Sequence, residues 1–341
     1  MSRFFKLAAL ATAFLMTLPA HAFLVIAHRG ASGYLPEHTL EAKALAVGMG
    51  AGAIEQDVVL TRDGVPIVLH DVTLDTKTDV ATRFPGRARA DGRFYAIDFD
   101  LEEIRTLRVV ERFDVETGEA VYPDRFQPPA GQPVPEFRIP TLAEELAMIR
   151  GLERTLDRPI IIYPEIKRPA WHRDQGQDPV PAVLQTLADY GYSGPGAPVF
   201  LQCFDAETLK RIRFEEGSRL RLVQLIGENS WEEAPTDFDF LKTPEGIGET
   251  ATYANGIGPW WPQCLDDPAG GAEAGPSALL LAARKRGLVI HPFTFRTDAV
   301  PEAYADFATW VRHFGEGLQV DGLFTDQPDR VLALRTPTWG P

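Results

Sequence analysis

Eight short, β-branched apolar runs recur along this chain with longer helix-like stretches between most of them, and no other feature narrows the fold as far. The runs are 24–27 (Leu-Val-Ile-Ala), 53–57, 160–166, 199–203, 221–226, 255–258, 288–294 and 322–325. Helical signals lie at Thr39–Gly48, Thr141–Leu156, Val180–Tyr190, Ala206–Glu216 and Pro276–Arg286. Alternating strand and helix predicts a parallel sheet, and eight units predict its closure into a TIM-type (β/α)8 barrel of the α/β class. A length of 341 residues suits one such barrel with insertions, and 45% hydrophobic residues supply its core. The sixth run carries two glycines and is the weakest strand by propensity.

One stretch departs from the count. Val58 to Leu69 reads as two β-rich arms about Asp63-Gly64, a strong hairpin signal. A turn centred between residues 63 and 64 places Asp57 opposite His70, so the hairpin extends the second strand and returns a histidine to the barrel mouth. Residues 72–138 then form the largest insertion, predicted as a small lobe over that mouth.

The first 22 residues read as a signal peptide. Arg3 and Lys6 precede an apolar run from Leu7 to Leu18, too short to span a bilayer, and Ala20-His21-Ala22 is a small-x-small cleavage site. The expectation is cleavage after Ala22, leaving 23–341 as a single barrel domain, soluble, exported and periplasmic. The net charge of −14 without a basic run argues against nucleic-acid binding and against stable association with an anionic membrane. An anionic substrate must then be held by local positive charge. Cys203 and Cys264 show no metal-ligand spacing, and the sequence does not place them within disulfide reach.

Chemistry in a barrel of this type gathers at the carboxyl ends of strands. Those ends here carry His28-Arg29-Gly30, Glu55-Gln56-Asp57 with His70-Asp71 returned beside them, Glu165-Ile166-Lys167, Gln202-Cys203-Phe204, His291 and Arg296, and Thr325-Asp326. Glu55 and Asp57, two apart on a strand, share a face, and Glu165 comes from the next strand. Three buried carboxylates repel unless a cation sits among them, and oxygen ligation indicates a hard ion, Ca²⁺ or Mg²⁺. Ion pairs with Arg29 and Lys167 are the alternative use of the same acids. His28 and His70 suit an acid–base pair, because imidazole titrates near neutral pH. Arg29 and Lys167 are candidate phosphate-binding cations. Phe204, Trp260 and Phe293 are candidate apolar walls for a glycerol or choline group. His38, His172 and His313 are read as surface or local structure, and Glu37 with Thr39 either caps the next helix or orients His28.

Together His28-Arg29-Gly30, Glu37-x-Thr39, Glu55-x-Asp57, Thr61-x-Asp63-Gly64, His70-Asp71 and Glu165-x-Lys167 resemble the glycerophosphodiester phosphodiesterase family. Asp91-Gly92-Arg93-Phe94-Tyr95, Gly256-Ile257-Gly258-Pro259 and Gly322-Leu323-Phe324-Thr325-Asp326 look like its bacterial periplasmic branch, and the resemblance runs from about 24 to 330. It implies a TIM barrel with an inserted lobe; Glu55, Asp57 and Glu165 as metal ligands, with calcium expected; His28 and His70 as the catalytic pair; and Arg29 and Lys167 on phosphate. The expected reaction releases sn-glycerol 3-phosphate and an alcohol from small glycerophosphodiesters such as glycerophosphocholine or glycerophosphoethanolamine. A phospholipase acting on intact lipid on the same barrel, and an exported binding protein without catalysis, are the rival readings. The chain departs from the pattern at His38, where many relatives carry Asn, and at Trp260-Trp261, where an acidic-aromatic pair is familiar.

Overall fold

The computed structural model describes residues 23–114, 117–123, 125–126, 131–133 and 135–336. The expected signal peptide and its cleavage site lie outside these residues. Nine strands form one sheet: β1 (Leu24–Ala27), β2 (Ala53–Leu60), β3 (Pro66–Val68), β4 (Ile161–Ile166), β5 (Phe200–Cys203), β6 (Arg221–Ile226), β7 (Gly256–Pro259), β8 (Val289–Ile290) and β9 (Gly322–Thr325). Eight are parallel, in the order β8-β7-β6-β5-β4-β2-β1-β9, and β3 pairs antiparallel with β2. The amides of Asp321 and Phe324 donate to the carbonyls of Ile290 and Pro292, at 3.0 Å each, and nearly close the ring. The (β/α)8 barrel expected from the alternation is therefore the fold.

Two strands differ from the sequence reading in instructive ways. The run at 288–294 shrinks to two ladder residues, because Pro292 has no amide to donate. The glycine-containing run does form β7, since packing outweighs propensity there. A Cβ on Gly256 would lie 2.4 Å from Val289 Cγ2, and one on Gly258 2.6 Å from Leu225 Cδ2. Only glycine lets these strands approach.

The hairpin register also differs. Val58 faces Val68, Val59 faces Ile67 and Leu60 faces Pro66, so Asp57 aligns with Leu69 rather than His70. The Leu69 amide donates to the Asp57 carbonyl at 2.9 Å. The turn is a three-residue loop, Arg62-Asp63-Gly64, with Gly64 at φ 76°, and not a two-residue turn about the 63–64 bond. His70 thus stands one residue beyond the ladder.

Helices cover the outside of the ring. Helix α1 (Leu40–Met49) starts at Thr39, whose hydroxyl accepts from the Ala42 amide, and stops at Gly50 in the left-handed region. Helix α2 (Leu142–Leu156) carries a Thr141–Glu144 capping box. Inside the ring, Ile26, Tyr163, Phe200, Val223 and Phe324 fill the barrel below its mouth. The segment between β3 and α2 packs on a core of its own around Leu74, Phe94, Phe99, Ile104 and Leu107. No helix among the described residues is long and apolar enough to cross a membrane.

Candidate functional site

The carboxyl ends of the strands surround a cavity of about 230 Å³ lined by His28, Arg29, Glu55, Asp57, His70, Glu165 and Lys167. Every polar residue singled out for catalysis, phosphate or metal thus lies in one place. Gln202, Phe204, Leu225, Phe293 and Phe324 complete the wall. Trp260 does not: it packs against Trp231 at a ring separation of 5.3 Å, beside the cavity rather than in it.

Local backbone geometry sets the first strand end. Arg29 and Gly30 both have positive φ, 59° and 87°, and a Cβ on Gly30 would lie 2.7 Å from the Ala42 backbone. This tight turn presses the Arg29 amide onto Glu55, with N to Oε2 at 2.6 Å. It also sends the guanidinium to Glu37 at 2.8 Å and to Asp57 at 3.5 Å. Glu37 therefore pairs with Arg29 instead of orienting His28, while Thr39 caps the helix.

The two histidines are built alike. His28 Nδ1 lies 2.7 Å from Asp326 Oδ1, and Asp326 lies 3.4 Å from Arg296. His70 Nδ1 lies 2.5 Å from Asp71 Oδ1, and Lys77 bonds the other oxygen of that carboxylate. A carboxylate on Nδ1 favours the proton on that nitrogen and leaves Nε2 as the base. Burial, with Arg29 next, lowers the pKa of both rings; Lys167 adds to the effect at His70, which falls to about 4. Both imidazoles are neutral at neutral pH and able to take a proton.

Beneath them sits the acidic floor. Glu55 and Asp57 share one face of β2, and Asp57 is level with Glu165 on β4. Glu165 bonds Lys167 at 2.9 Å, and Lys167 reaches Glu233 at 3.1 Å. His38 is a correction to the sequence reading. It is buried, 3% exposed, with Nε2 2.7 Å from Asp57 Oδ2. Donor atoms of His38, Glu55 and Asp57 all fall within 4.8 Å of one another, whereas Glu165 is engaged by Lys167.

This set fits a divalent cation on two grounds. Asp57 Oδ1 is buried without a hydrogen-bond partner. Burial, then repulsion from Asp57, raises the Glu55 carboxyl well above its usual range, which an added positive charge would reverse. Asp57 itself stays ionised: burial opposes this, but His70, Lys167 and His38 outweigh it.

Several residues here escaped the sequence reading. Lys43 is fully buried, donates to the Glu55 carbonyl, and lies 3.3 Å from Glu145, which also accepts from Gln56 at 2.8 Å. This network fixes the strand that carries Glu55 and Asp57. Cys203 and Cys264 are both free and buried, and Cys203 Sγ donates to the Ile166 carbonyl at 3.2 Å.

His291 ends a strand but turns into the barrel, where Nδ1 meets the Tyr163 hydroxyl at 2.8 Å. Burial, then Arg221, lowers its pKa from 6.5 to about 3. The folded state therefore binds fewer protons here than the unfolded chain. This contribution to stability is complete above pH 6.5 and falls as the pH drops toward 3. Urea unfolding of His291→Gln is expected to show a shallower loss of stability than the native chain over that window, and equal slopes would refute it.

A family model described as "Glycerophosphoryl diester phosphodiesterase family" matches residues 28–330. Among curated proteins, a Glycerophosphodiester phosphodiesterase of Haemophilus influenzae is 39% identical over 327 residues, covering 90% of this chain and 88% of its own length. One from Treponema pallidum is 36% identical over 297 residues, covering 82% of each chain. A crystal structure of a putative glycerophosphoryl diester phosphodiesterase from Silicibacter pomeroyi superposes with a TM-score of 0.68 at 26% identity, over 93% of this chain and 94% of that one. An Oleispira antarctica phosphodiesterase, solved in complex with the product sn-glycerol-3-phosphate, shares the fold with a TM-score of 0.59 at 17% identity, over 92% and 96% of the two chains.

Proposed function

The chain belongs to the glycerophosphodiester phosphodiesterase family, and from that membership we propose that it hydrolyses small glycerophosphodiesters to sn-glycerol 3-phosphate and an alcohol. One observation carries the reading: two histidines, each with a carboxylate on Nδ1, line a single cavity with Arg29, Lys167 and a buried acidic cluster. Arg29 and Lys167 take the non-bridging phosphate oxygens and remain charged throughout, since their carboxylate partners raise both pKa values against the opposing effect of burial. Phe204, Phe293 and Phe324 supply the apolar part of the lining, which excludes water and packs against the carbon skeleton of the glycerol. The attacking oxygen, from water or from the glycerol 2-hydroxyl, gives its proton to one imidazole as the P–O bond forms. The other imidazole, neutral in the free protein and protonated at Nε2 once the anionic phosphodiester lies beside it, gives that proton to the departing alkoxide as the second P–O bond breaks.

Glu55 and Asp57, with Glu165 beside them and His38 on Asp57, hold one divalent cation, for which we propose Ca²⁺, with Mg²⁺ as the alternative. When bound, it supplies positive charge that neutralises the phosphate. Of the three ligands expected from sequence, Glu55 and Asp57 belong to the cluster with His38, and Glu165 shares its carboxylate with Lys167. The residues before Phe23 carry the pattern of an export signal, so the mature enzyme is proposed to work in the periplasm on soluble substrates.

The test uses purified protein with glycerophosphocholine and, separately, phosphatidylcholine, following sn-glycerol 3-phosphate release. The expected result is release from the soluble diester, its loss in excess EGTA, and no attack on the lipid. Cleavage of the lipid alone would favour the phospholipase reading, and binding of the diester without turnover the binding-protein reading.

A further inference from the structure

Two grooves leave the central cavity, one on each side. The first, of about 230 Å³, shares His28 and Arg29 with the centre and runs to Glu37, Glu111, Arg112 and Tyr122. The second shares His70 and Lys167 and runs to Arg93, Tyr95 and Trp171. The inserted segment contributes walls to both. Resting on the function proposed above, we propose that the first groove is the subsite for the departing alcohol, and that it selects a neutral, polyhydroxylated head group of the glycerol or inositol type over a quaternary ammonium.

The choice of groove follows from unfilled hydrogen-bonding capacity. In the first groove Glu37 Oε1 is buried without a hydrogen-bond partner, and Lys77 Nζ stands 3.8 Å away from it. Arg112 comes only within 3.9 Å of Glu37. In the second groove the charges are mutually engaged: Asp71 with His70 and Lys77, Glu233 with Lys167 and Arg168, Arg93 with Asp75. Polar atoms with spare capacity favour a ligand that supplies donors and acceptors.

The choice of head group follows from charge and ring access. Three acids, Glu37, Glu111 and Asp326, face three arginines, Arg29, Arg112 and Arg296, so the lining has no net charge to attract a cation. Its aromatic residue, Tyr122, already has the Arg125 guanidinium 4.4 Å from its ring centre and that of Arg296 at 5.8 Å. A choline group would have to displace a guanidinium to reach that face. Hydroxyls both donate and accept, and so match carboxylates and guanidiniums lying side by side.

The experiment compares kcat/KM for glycerophosphoglycerol, glycerophosphoinositol and glycerophosphocholine in the full chain and in Arg112→Leu, Tyr122→Ala and, in the opposite groove, Arg93→Leu. All three substrates release sn-glycerol 3-phosphate, so one assay serves. The native enzyme is expected to prefer the two polyol substrates by about 10-fold, the worth of one or two added hydrogen bonds. Arg112→Leu and Tyr122→Ala, checked for folding by thermal melting, are expected to shrink that ratio toward one, and Arg93→Leu to leave it. Equal native efficiencies, a preference for choline, or a ratio that moves with Arg93→Leu and not with the other two would overturn the proposal. Release from none of the three would instead remove the function on which it rests.

Discussion

Replacing either His28 or His70 by alanine is expected to lower kcat by about 10²–10⁴-fold, the usual worth of a positioned acid or base, with a much smaller change in KM. The separation of the two effects follows from the geometry. On the proposed reading phosphate is held by Arg29 and Lys167, whose partners Glu37, Asp57, Glu165 and Glu233 stay in place when an imidazole is removed. Ground-state binding therefore survives while proton transfer does not. Neither ring is part of the hydrophobic core, and their side chains are 18% and 24% exposed, so folding is expected to be retained. The double variant should lose little more than the worse single one, because the two groups serve one reaction and their losses do not add. Steady-state kinetics on the three variants decide this. Native kcat in either single variant would take that histidine out of the chemistry and leave the two Nδ1 carboxylates without a purpose.

What the sequence revealed and what it hid divide along the range of the interaction. Glu55 and Asp57 were legible as a same-face pair because strand periodicity is local, and the barrel because its alternation repeats eight times. The hairpin register differs by one residue from that of a two-residue turn, because Asp63-Gly64 also fits a three-residue loop with Gly64 at positive φ. His38 reads from sequence as surface or local structure, since nothing near it in the chain shows that a positive φ of 63° and the turn after β1 aim it at Asp57. Asp326 lies 298 positions from His28 in the chain, and Lys43 reaches Glu145 from another helix. Such partners become visible only when the ring closes. Trp260 stands at the expected strand end, but its ring packs on Trp231 beside the cavity, a contact that only the folded chain reveals.

Glu55→Gln is expected to abolish turnover and the stabilisation conferred by calcium while leaving the metal-free protein about as stable as the native one. The argument rests on what Glu55 does without an ion. It is 2% exposed, lies beside the ionised Asp57, and Lys43 and Arg29 offset only part of its burial, so its carboxyl holds a proton well above the usual range. A neutral glutamine of the same shape can take its place, and its amide oxygen can still accept from the Arg29 amide, as Glu55 Oε2 does at 2.6 Å. At the proposed metal site of the native protein, a cation would displace that proton and gain an anionic ligand. A calcium concentration of 100 times Kd should therefore raise native stability by about 2.7 kcal/mol. In Glu55→Gln the anionic ligand is gone, and affinity should fall by more than the about 10–100-fold typical of changing a residue that merely supports a ligand. Thermal melting of both proteins across a calcium titration, in parallel with magnesium, reads this directly. A full calcium shift in Glu55→Gln would show that the ion is held elsewhere, and a metal-free variant much less stable than the native protein would show that Glu55 is ionised and structural. Either outcome would return Glu55 and Asp57 to a plain ion-pair role with Arg29, and the two histidines would then have to act on a phosphate neutralised by Arg29 and Lys167 alone.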